Sequence, residues 1–273
     1  MEMYRRLSLA IVALLLVATV QGAESDYRGK VVIITGSSSG LGAALVEEAA
    51  AREMKLVLAD INPGPSQAFA EAYTKRGGEA LVVEVDLADA RQRGRVIDRA
   101  LARFGRVDML INNAGYAYFA NLQQQQLAQA QHLFEVNYWA YIDLAQRAIP
   151  ALRRQGGAII NVASILGVIP SGPDLHAYAA SKHALVGAFR SLHGELDAMG
   201  IQVKVVCPGG MKTNIFNAAI GAGKDKYKDM VKDWETPDKV AGEIFASLAK
   251  PGVLVFPTTV AHMAERFADQ QQP

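Results

Sequence analysis

The chain holds a single cysteine in 273 residues, so it has no internal disulfide. That residue, Cys207, sits in Lys204-Val-Val-Cys-Pro208 and reads as a small apolar side chain closing a buried strand, since free cysteines are usually buried and inert. Charge of one sign is lacking too: 28 basic residues face 27 acidic ones, which leaves no field to attract nucleic acid. No Cys or carboxylate cluster accompanies His176 and His183, so no metal is expected, and both histidines are assigned to a pocket or the surface. Internal repeats and linkers are absent, and with 51% hydrophobic residues the chain can build one large core. A full membrane span is lacking as well. The apolar run Leu7–Val20 is shorter than the ~20 residues of a spanning helix. It follows Arg5 and Arg6 and gives way to Gln21-Gly-Ala-Glu-Ser25. Residues 1–23 therefore read as a signal peptide or N-terminal membrane anchor, with residues 7–20 directing the chain to a membrane or into the secretory pathway. The side of the membrane stays open. Residues 24–273 form the folded domain.

What is present is an alternation. Strand-like runs fall at Val31–Thr35, Leu56–Asp60, Ala80–Asp86, Met109–Asn112, Ala158–Ala163, Gln202–Cys207 and Val253–Phe256. Helical patterns lie between them, near 41–52, 65–76, 89–104, 127–153, 178–199 and 237–249. Alternating strands and helices predict an α/β fold, a doubly wound parallel sheet flanked by helices, and near-continuous Val/Ile runs suit strands buried on both faces.

The first strand runs into Gly36-Ser-Ser-Ser-Gly40-Leu41-Gly42 and then an Ala/Glu-rich helix. Glycines let a ligand approach the backbone, and the helix N-terminus offers free N–H groups to a phosphate; Ser37, Ser38 and Ser39 add hydroxyls. The second strand ends about twenty residues later in Asp60, where an acid binds ribose hydroxyls in dinucleotide folds. A carboxylate there repels a 2′-phosphate, and no Lys or Arg lies within Ser37–Ser39 or Ile61–Pro65, so NAD is favoured over NADP. Gly36-Ser-Ser38-Ser-Gly40 also matches the G-x-S-x-G elbow of serine hydrolases, with Ser38 as nucleophile, but that fold places several strands before the elbow.

Tyr178 and Lys182 stand four residues apart in a helical pattern and so share one face, with Ser164 fourteen residues upstream. A fixed ammonium favours the phenolate and is expected to lower the tyrosine pKa from ~10, fitting the pair to move a proton to or from an alcohol or carbonyl oxygen. Asn137 lies inside a helical stretch, where asparagine has poor propensity.

Together these residues resemble the classical short-chain dehydrogenase/reductase family. The resemblance rests on Thr35-Gly-Ser-Ser-Ser-Gly-Leu-Gly42, Asp86-Leu87, Asn112-Asn-Ala-Gly115, Asn137, Ser164, Tyr178-x-x-x-Lys182 and Pro208-Gly209 with Thr213, in the family's order from about Lys30 to about Pro257. It implies a Rossmann fold with seven strands ordered 3-2-1-4-5-6-7. It implies a nicotinamide cofactor held by Gly36, Ser38, Ser39, Gly40, Leu41, Gly42, Asp60, Ile61, Asp86, Leu87, Asn113, Ala114, Gly115, Tyr178, Lys182, Pro208, Gly209 and Thr213. It also implies a catalytic tetrad: Asn137 kinks its helix and holds a relay water, Ser164 holds the substrate oxygen, Tyr178 is the acid/base and Lys182 its electrostatic partner. Residues 211–236 would form a substrate lid. Ile165, Leu166, Val168, Tyr116, Tyr118, Met211 and Phe216 are apolar pocket candidates, which suits a hydrophobic secondary alcohol or ketone. Pairing of the helices 127–153 and 178–199 with those of another copy implies a homodimer or homotetramer. A cofactor-binding scaffold or sensor without turnover is the rival reading, and the complete tetrad speaks against it.

Overall fold

The structure, a computed structural model, describes residues 27–213, 215–222 and 234–262; of residues 216 and 217 it describes the backbone only. The leader at residues 1–23 lies outside the described residues, as do residues 223–233 of the expected lid and the tail from residue 263. Among the described residues no helix is long and apolar enough to cross a membrane.

Seven parallel strands form one sheet: β1 (Val31–Thr35), β2 (Lys55–Asp60), β3 (Ala80–Glu84), β4 (Met109–Asn112), β5 (Ala158–Val162), β6 (Gln202–Val206) and β7 (Leu254–Val255). Their order is β3-β2-β1-β4-β5-β6-β7, the order the resemblance implies. Every side chain of β1, β4 and β5 is buried, as expected of strands covered on both faces. Alternate residues feed two cores. Val31, Ile33, Val57, Leu110 and Ile159 pack under α3 (Ala90–Phe104), α5 (Ala140–Gln155) and α6 (His176–Ala198). Val32, Ile34, Leu56, Leu58 and Ile111 pack under α1 (Gly40–Ala51), α2 (Gly64–Lys75) and α8 (Pro237–Ser247). Two short helices, α4 (Leu127–Phe134) and α7 (Ile215–Ala218), lie outside these two layers of long helices.

The structure corrects the expected elements in two places. The helix expected over 127–153 is not continuous: a π turn, Glu135–Trp139, separates α4 from α5 and contains Asn137. β3 stops at Glu84, so Asp86 lies in the following loop, and α3 is capped by Asp89, which accepts from the Arg91 amide at 3.0 Å. A satellite cluster forms beside the sheet's carboxyl edge from Tyr118, Phe119, Leu133, Tyr178 and Ala219.

Candidate active site

The carboxyl ends of the parallel strands deliver the candidate residues to one edge, where ligands bind in open α/β sheets. The turn after β1 needs its glycines. Gly36 has φ +66°, and a Cβ there would lie 2.8 Å from the Ala114 Cα. A Cβ on Gly42 would lie 1.8 Å from the Gly36 carbonyl oxygen. β4 braces this turn from behind. Thr35 Oγ1 accepts from the amides of Asn113 (2.9 Å) and Ala114 (3.1 Å), while Asn113 Nδ2 donates to the carbonyls of Thr35 (2.9 Å) and Gly36 (3.3 Å). Asn113 thus holds the turn through its side chain, and Thr35, a β-branched strand residue by sequence pattern, acts as a hub. Ser39 precedes α1 without a side-chain cap, and the first turn carries no acid, which leaves its N–H donors for an anion.

The hydroxyls of Ser37 and Ser38 both bond Ser66 Oγ on α2, at 2.8 and 2.9 Å. The Ser38 hydroxyl is therefore engaged by a serine, not a histidine, and the hydrolase reading finds no base here. Asp60 accepts from the Ser38 amide through Oδ2 and from the Asn62 amide through Oδ1, each at 2.9 Å, which fixes its carboxylate against the turn. Ile61 beside it is 66% exposed. Asp86 Oδ1 accepts from the Ala88 amide at 2.9 Å, and Leu87 is buried in the core.

A cleft of about 460 Å³ borders the turn, lined by Ser38, Gly40, Ser66, Phe69, Lys212 and Thr213 among others. Ser164, Tyr178 and Lys182 do not line it; burial and hydrogen bonding define the catalytic cluster instead. Ser164 leaves β5 and caps a 3-10 turn (Ile165–Gly167), its Oγ accepting from the Leu166 amide at 3.2 Å. The same side chain lies near enough to the Tyr178 phenol to favour its ionised form. Lys182 Nζ donates to the Val162 carbonyl at 2.9 Å and stands 5.8 Å from the Tyr178 ring and 5.5 Å from the Tyr141 ring. Asn137 is fully buried on the π turn. Its Oδ1 accepts from the Tyr116 amide (3.2 Å) and its Nδ2 donates to the Tyr116 carbonyl (3.0 Å) and Ser181 Oγ (3.3 Å). A Cβ on Gly115 would lie 3.0 Å from Asn137 Oδ1 and 3.6 Å from Lys182 Nζ, so these two side chains approach one small space beside Gly115.

The electrostatics overturn one expectation. The Tyr178 phenol is not lowered by its lysine: burial pushes it up to about 12, with the Ser164 hydrogen bond pulling the other way. Burial also brings Lys182 down to about 7, with Cys207 opposing. Desolvation, which disfavours every charged form, is the largest cause for both groups. Cys207 itself is pushed up to about 12 by burial, as an inert thiol should be.

Among the pocket candidates, Tyr116 and Leu166 border the satellite cluster that contains Tyr178, and Ile165 and Val168 pack on the main core. Met211 packs beside α1 and α8. Tyr118 is a core residue, not a pocket wall: it is 2% exposed and its hydroxyl accepts from the Gln126 amide at 2.8 Å. The side chain of Phe216 lies outside the described residues. His176 and His183 are both exposed. The loop Pro208–Thr213 is clamped below the site, with the Gly209 amide donating to Thr258 Oγ1 at 2.8 Å and Trp234 lying against Gly210. Thr213 packs on Gly40. Two contributors were missed in the sequence. Tyr141 donates to the carbonyls of Ala114 (2.9 Å) and Val162 (3.3 Å), and Ser181 donates to the Tyr178 carbonyl (2.7 Å). Their placement, one turn after Asn137 and just before Lys182, was the available signal.

Comparison with known proteins agrees with this geometry. Residues 30–222 match the family model described as short chain dehydrogenase. The 1-deoxy-11-beta-hydroxypentalenate dehydrogenase of Streptomyces exfoliatus is 31% identical over 248 residues, which cover 88% of this chain and 86% of that protein. A short-chain dehydrogenase/reductase from Burkholderia phymatum in complex with NAD superposes with a TM-score of 0.81 at 27% identity, covering 91% of this chain and 97% of the other. One from Sphingobium yanoikuyae in complex with NADPH gives 0.77 at 26% identity, covering 89% and 94%. With its sheet order, braced glycine turn and buried Ser-Tyr-Lys cluster, the chain belongs to the short-chain dehydrogenase/reductase family of oxidoreductases.

Proposed function

We propose that this protein interconverts a hydrophobic secondary alcohol and its ketone with NAD(H). The observation that carries the reading is the buried cluster of Ser164, Tyr178, Lys182 and Asn137 at the same sheet edge as the glycine turn. The residues fit a nicotinamide dinucleotide. A backbone cradle that a Cβ would fill at Gly36 and Gly42, and an uncapped helix N-terminus, suit its pyrophosphate. Asp60 suits its adenosine ribose, Asp86, Leu87, Asn113 and Ala114 the adenine, and Tyr178, Lys182 and Thr213 the nicotinamide end. When bound, the dinucleotide supplies the hydride donor or acceptor.

Ser164 would hold the substrate oxygen, and Tyr178 would give its proton to that oxygen in reduction or take one from it in oxidation. With Tyr178 raised to about 12 and Lys182 lowered to about 7, the resting proton sits on the phenol, which suits the reductive direction at neutral pH. Burial keeps water from the transferred proton and strengthens each remaining interaction. Relatives of both cofactor types exist, so the preference for NAD rests on Asp60, whose fixed carboxylate would face a 2′-phosphate. Tyr116, Leu166, Ile165 and Met211 give the substrate side its apolar character. The direct test follows reduced-cofactor absorbance while alcohols and ketones are screened with NAD and with NADP. Failure of every hydrophobic substrate, or a strong preference for NADP, would count against the reading.

Two further proposals concern the whole chain. We propose that residues 1–23 direct it to a membrane or the secretory pathway; full-length protein found in the cytosol with an uncleaved leader would refute this. We also propose a homodimer or homotetramer through α5 and α6. Trp139 before α5 is 49% exposed, and a Cβ on Gly187 or Gly194 of α6 would meet open space, leaving room for a second helix. Light scattering tests the mass.

A further inference from the structure

Three cations among the described residues are more than nine-tenths buried: Lys182 in the site, Lys204 and Arg93. Lys204 ends on the carbonyls of Lys250 and Gly252 and holds a turn. Arg93 has a wider reach. It stands first in the stripe Arg93, Val96, Ile97 and Ala100 that α3 buries, where helical spacing calls for an apolar residue. Its Nε donates to the Leu87 carbonyl at 2.7 Å. Its Nη2 donates to the Glu135 carboxylate at 2.7 Å and reaches the carbonyls of Glu135 (3.3 Å) and Ala88 (3.4 Å). Asp143 lies 3.9 Å from Nη1 and also binds Arg147.

We propose that Arg93 is a positioning residue that couples the adenine-side loop at Asp86–Ala88 to the π turn carrying Asn137. The inference rests on the dinucleotide reading above. On one side Arg93 holds the carbonyl that directly follows Asp86. On the other it holds Glu135, the first residue of the turn and two residues before Asn137. A guanidinium is a planar fork with its donors in fixed relation, so it sets the spacing between the two segments; a flexible ammonium could not. A buried charge adds little stability compared with a well-packed apolar side chain. At this stripe position it is better explained by the geometry it enforces. Loading of the adenine end would thereby reach Asn137, and through its two bonds to Tyr116, the catalytic cluster.

The test needs no substrate. Wild type, Arg93→Met, Arg93→Lys and Glu135→Gln are titrated with ADP-ribose by calorimetry, and amide hydrogen exchange is followed with and without saturating ADP-ribose. In wild type the ligand should slow exchange at 86–88 and also across 135–139. In Arg93→Met the affinity should fall about tenfold, and the slowing at 135–139 should vanish even at saturation. Arg93→Lys should regain thermal stability without regaining the effect at 135–139, and Glu135→Gln should weaken that effect. If Arg93→Met does not fold, Arg93→Lys decides by the same criterion. A folded Arg93 variant with wild-type slowing across 135–139 overturns the proposal, as does a wild type that binds ADP-ribose without slowing there. A wild type that does not bind ADP-ribose overturns the dinucleotide reading itself.

Discussion

Replacing Lys182 by methionine should make the cofactor-free protein more stable at pH 7 and remove part of its pH dependence. Burial brings Lys182 from an ordinary value of 10.5 to about 7. Between those values the unfolded chain keeps the lysine proton and the folded chain has released it. The unfolded state thus binds more protons, and stability must rise with pH across that window. One proton corresponds to about 1.4 kcal/mol per pH unit, so the lysine's contribution should improve by roughly 2 kcal/mol between pH 7 and pH 9. At pH 7 most of the penalty remains, on the order of 4 kcal/mol. Methionine has similar length and no charge. It forgoes the bond to the Val162 carbonyl, which leaves that acceptor to the Tyr141 hydroxyl. That loss offsets about 1 kcal/mol, so a net gain of a few kcal/mol at pH 7 is expected. Urea denaturation at pH 7, 8 and 9 measures it, with the wild-type and variant curves converging as pH rises. The Cys207 and Tyr178 contributions, which begin to change as pH rises through their unfolded values of 9.0 and 10.0, belong to both proteins and largely cancel in the difference. A variant less stable than wild type at pH 7, or a difference that does not shrink with pH, would refute the claim that burial governs this lysine.

Other substitutions separate the parts of the site. Tyr178→Phe removes the proton carrier and keeps the ring, so turnover should fall by at least about a hundredfold while NAD affinity by calorimetry changes little; near-normal kcat would end the acid/base assignment. Gly42→Ala drives a Cβ into the Gly36 carbonyl and should cost about 1–3 kcal/mol in thermal or urea denaturation, with loss of NAD binding. Asp60→Ala frees the Ser38 and Asn62 amides and should narrow the ratio of NAD to NADP affinity, which competitive titration reads directly. Since the resting proton is held by Tyr178, the rate of alcohol oxidation should climb from pH 7 to pH 10 while ketone reduction stays flat or declines, and stopped-flow traces in both directions would expose the opposite order.

The sheet was legible because its information is local. Val31-Val-Ile-Ile announces a strand buried on both faces, and the glycines after it announce a turn that no side chain can enter. What escaped depends on contacts between distant segments. Helical periodicity runs unbroken through 127–153, and the π turn at Glu135–Trp139 shows only in how Asn137 bonds Tyr116 and Ser181. Tyr118 looks like a pocket aromatic beside Tyr116 until Leu133 and Ala219 close over it. The bonds of Ser37 and Ser38 to Ser66 could not be foreseen either, since Ser66 lies twenty-eight residues beyond Ser38. Above all, sequence spacing shows that Tyr178 and Lys182 are neighbours but not how dry their surroundings are, and the dryness decides the sign of the tyrosine shift.

That dryness also explains why so many neutral groups surround the pair. An ammonium in a low-dielectric site is tolerable only if other dipoles replace its water. Here the Val162 carbonyl and the rings of Tyr141 and Tyr178 do so, and no carboxylate among the described residues forms an ion pair with Lys182 to pin its charge. A strong ion pair would hold the lysine charged at every working pH and make its proton useless to a relay. Neutral partners leave it near about 7, where it can gain or lose a proton as its surroundings change. The same reasoning gives Tyr141 its place: its hydroxyl shares the Val162 carbonyl with Lys182, and its ring lies beneath the ammonium. The stability that burial costs the resting fold is thus what brings Lys182 to about 7 while Tyr178, at about 12, keeps its proton.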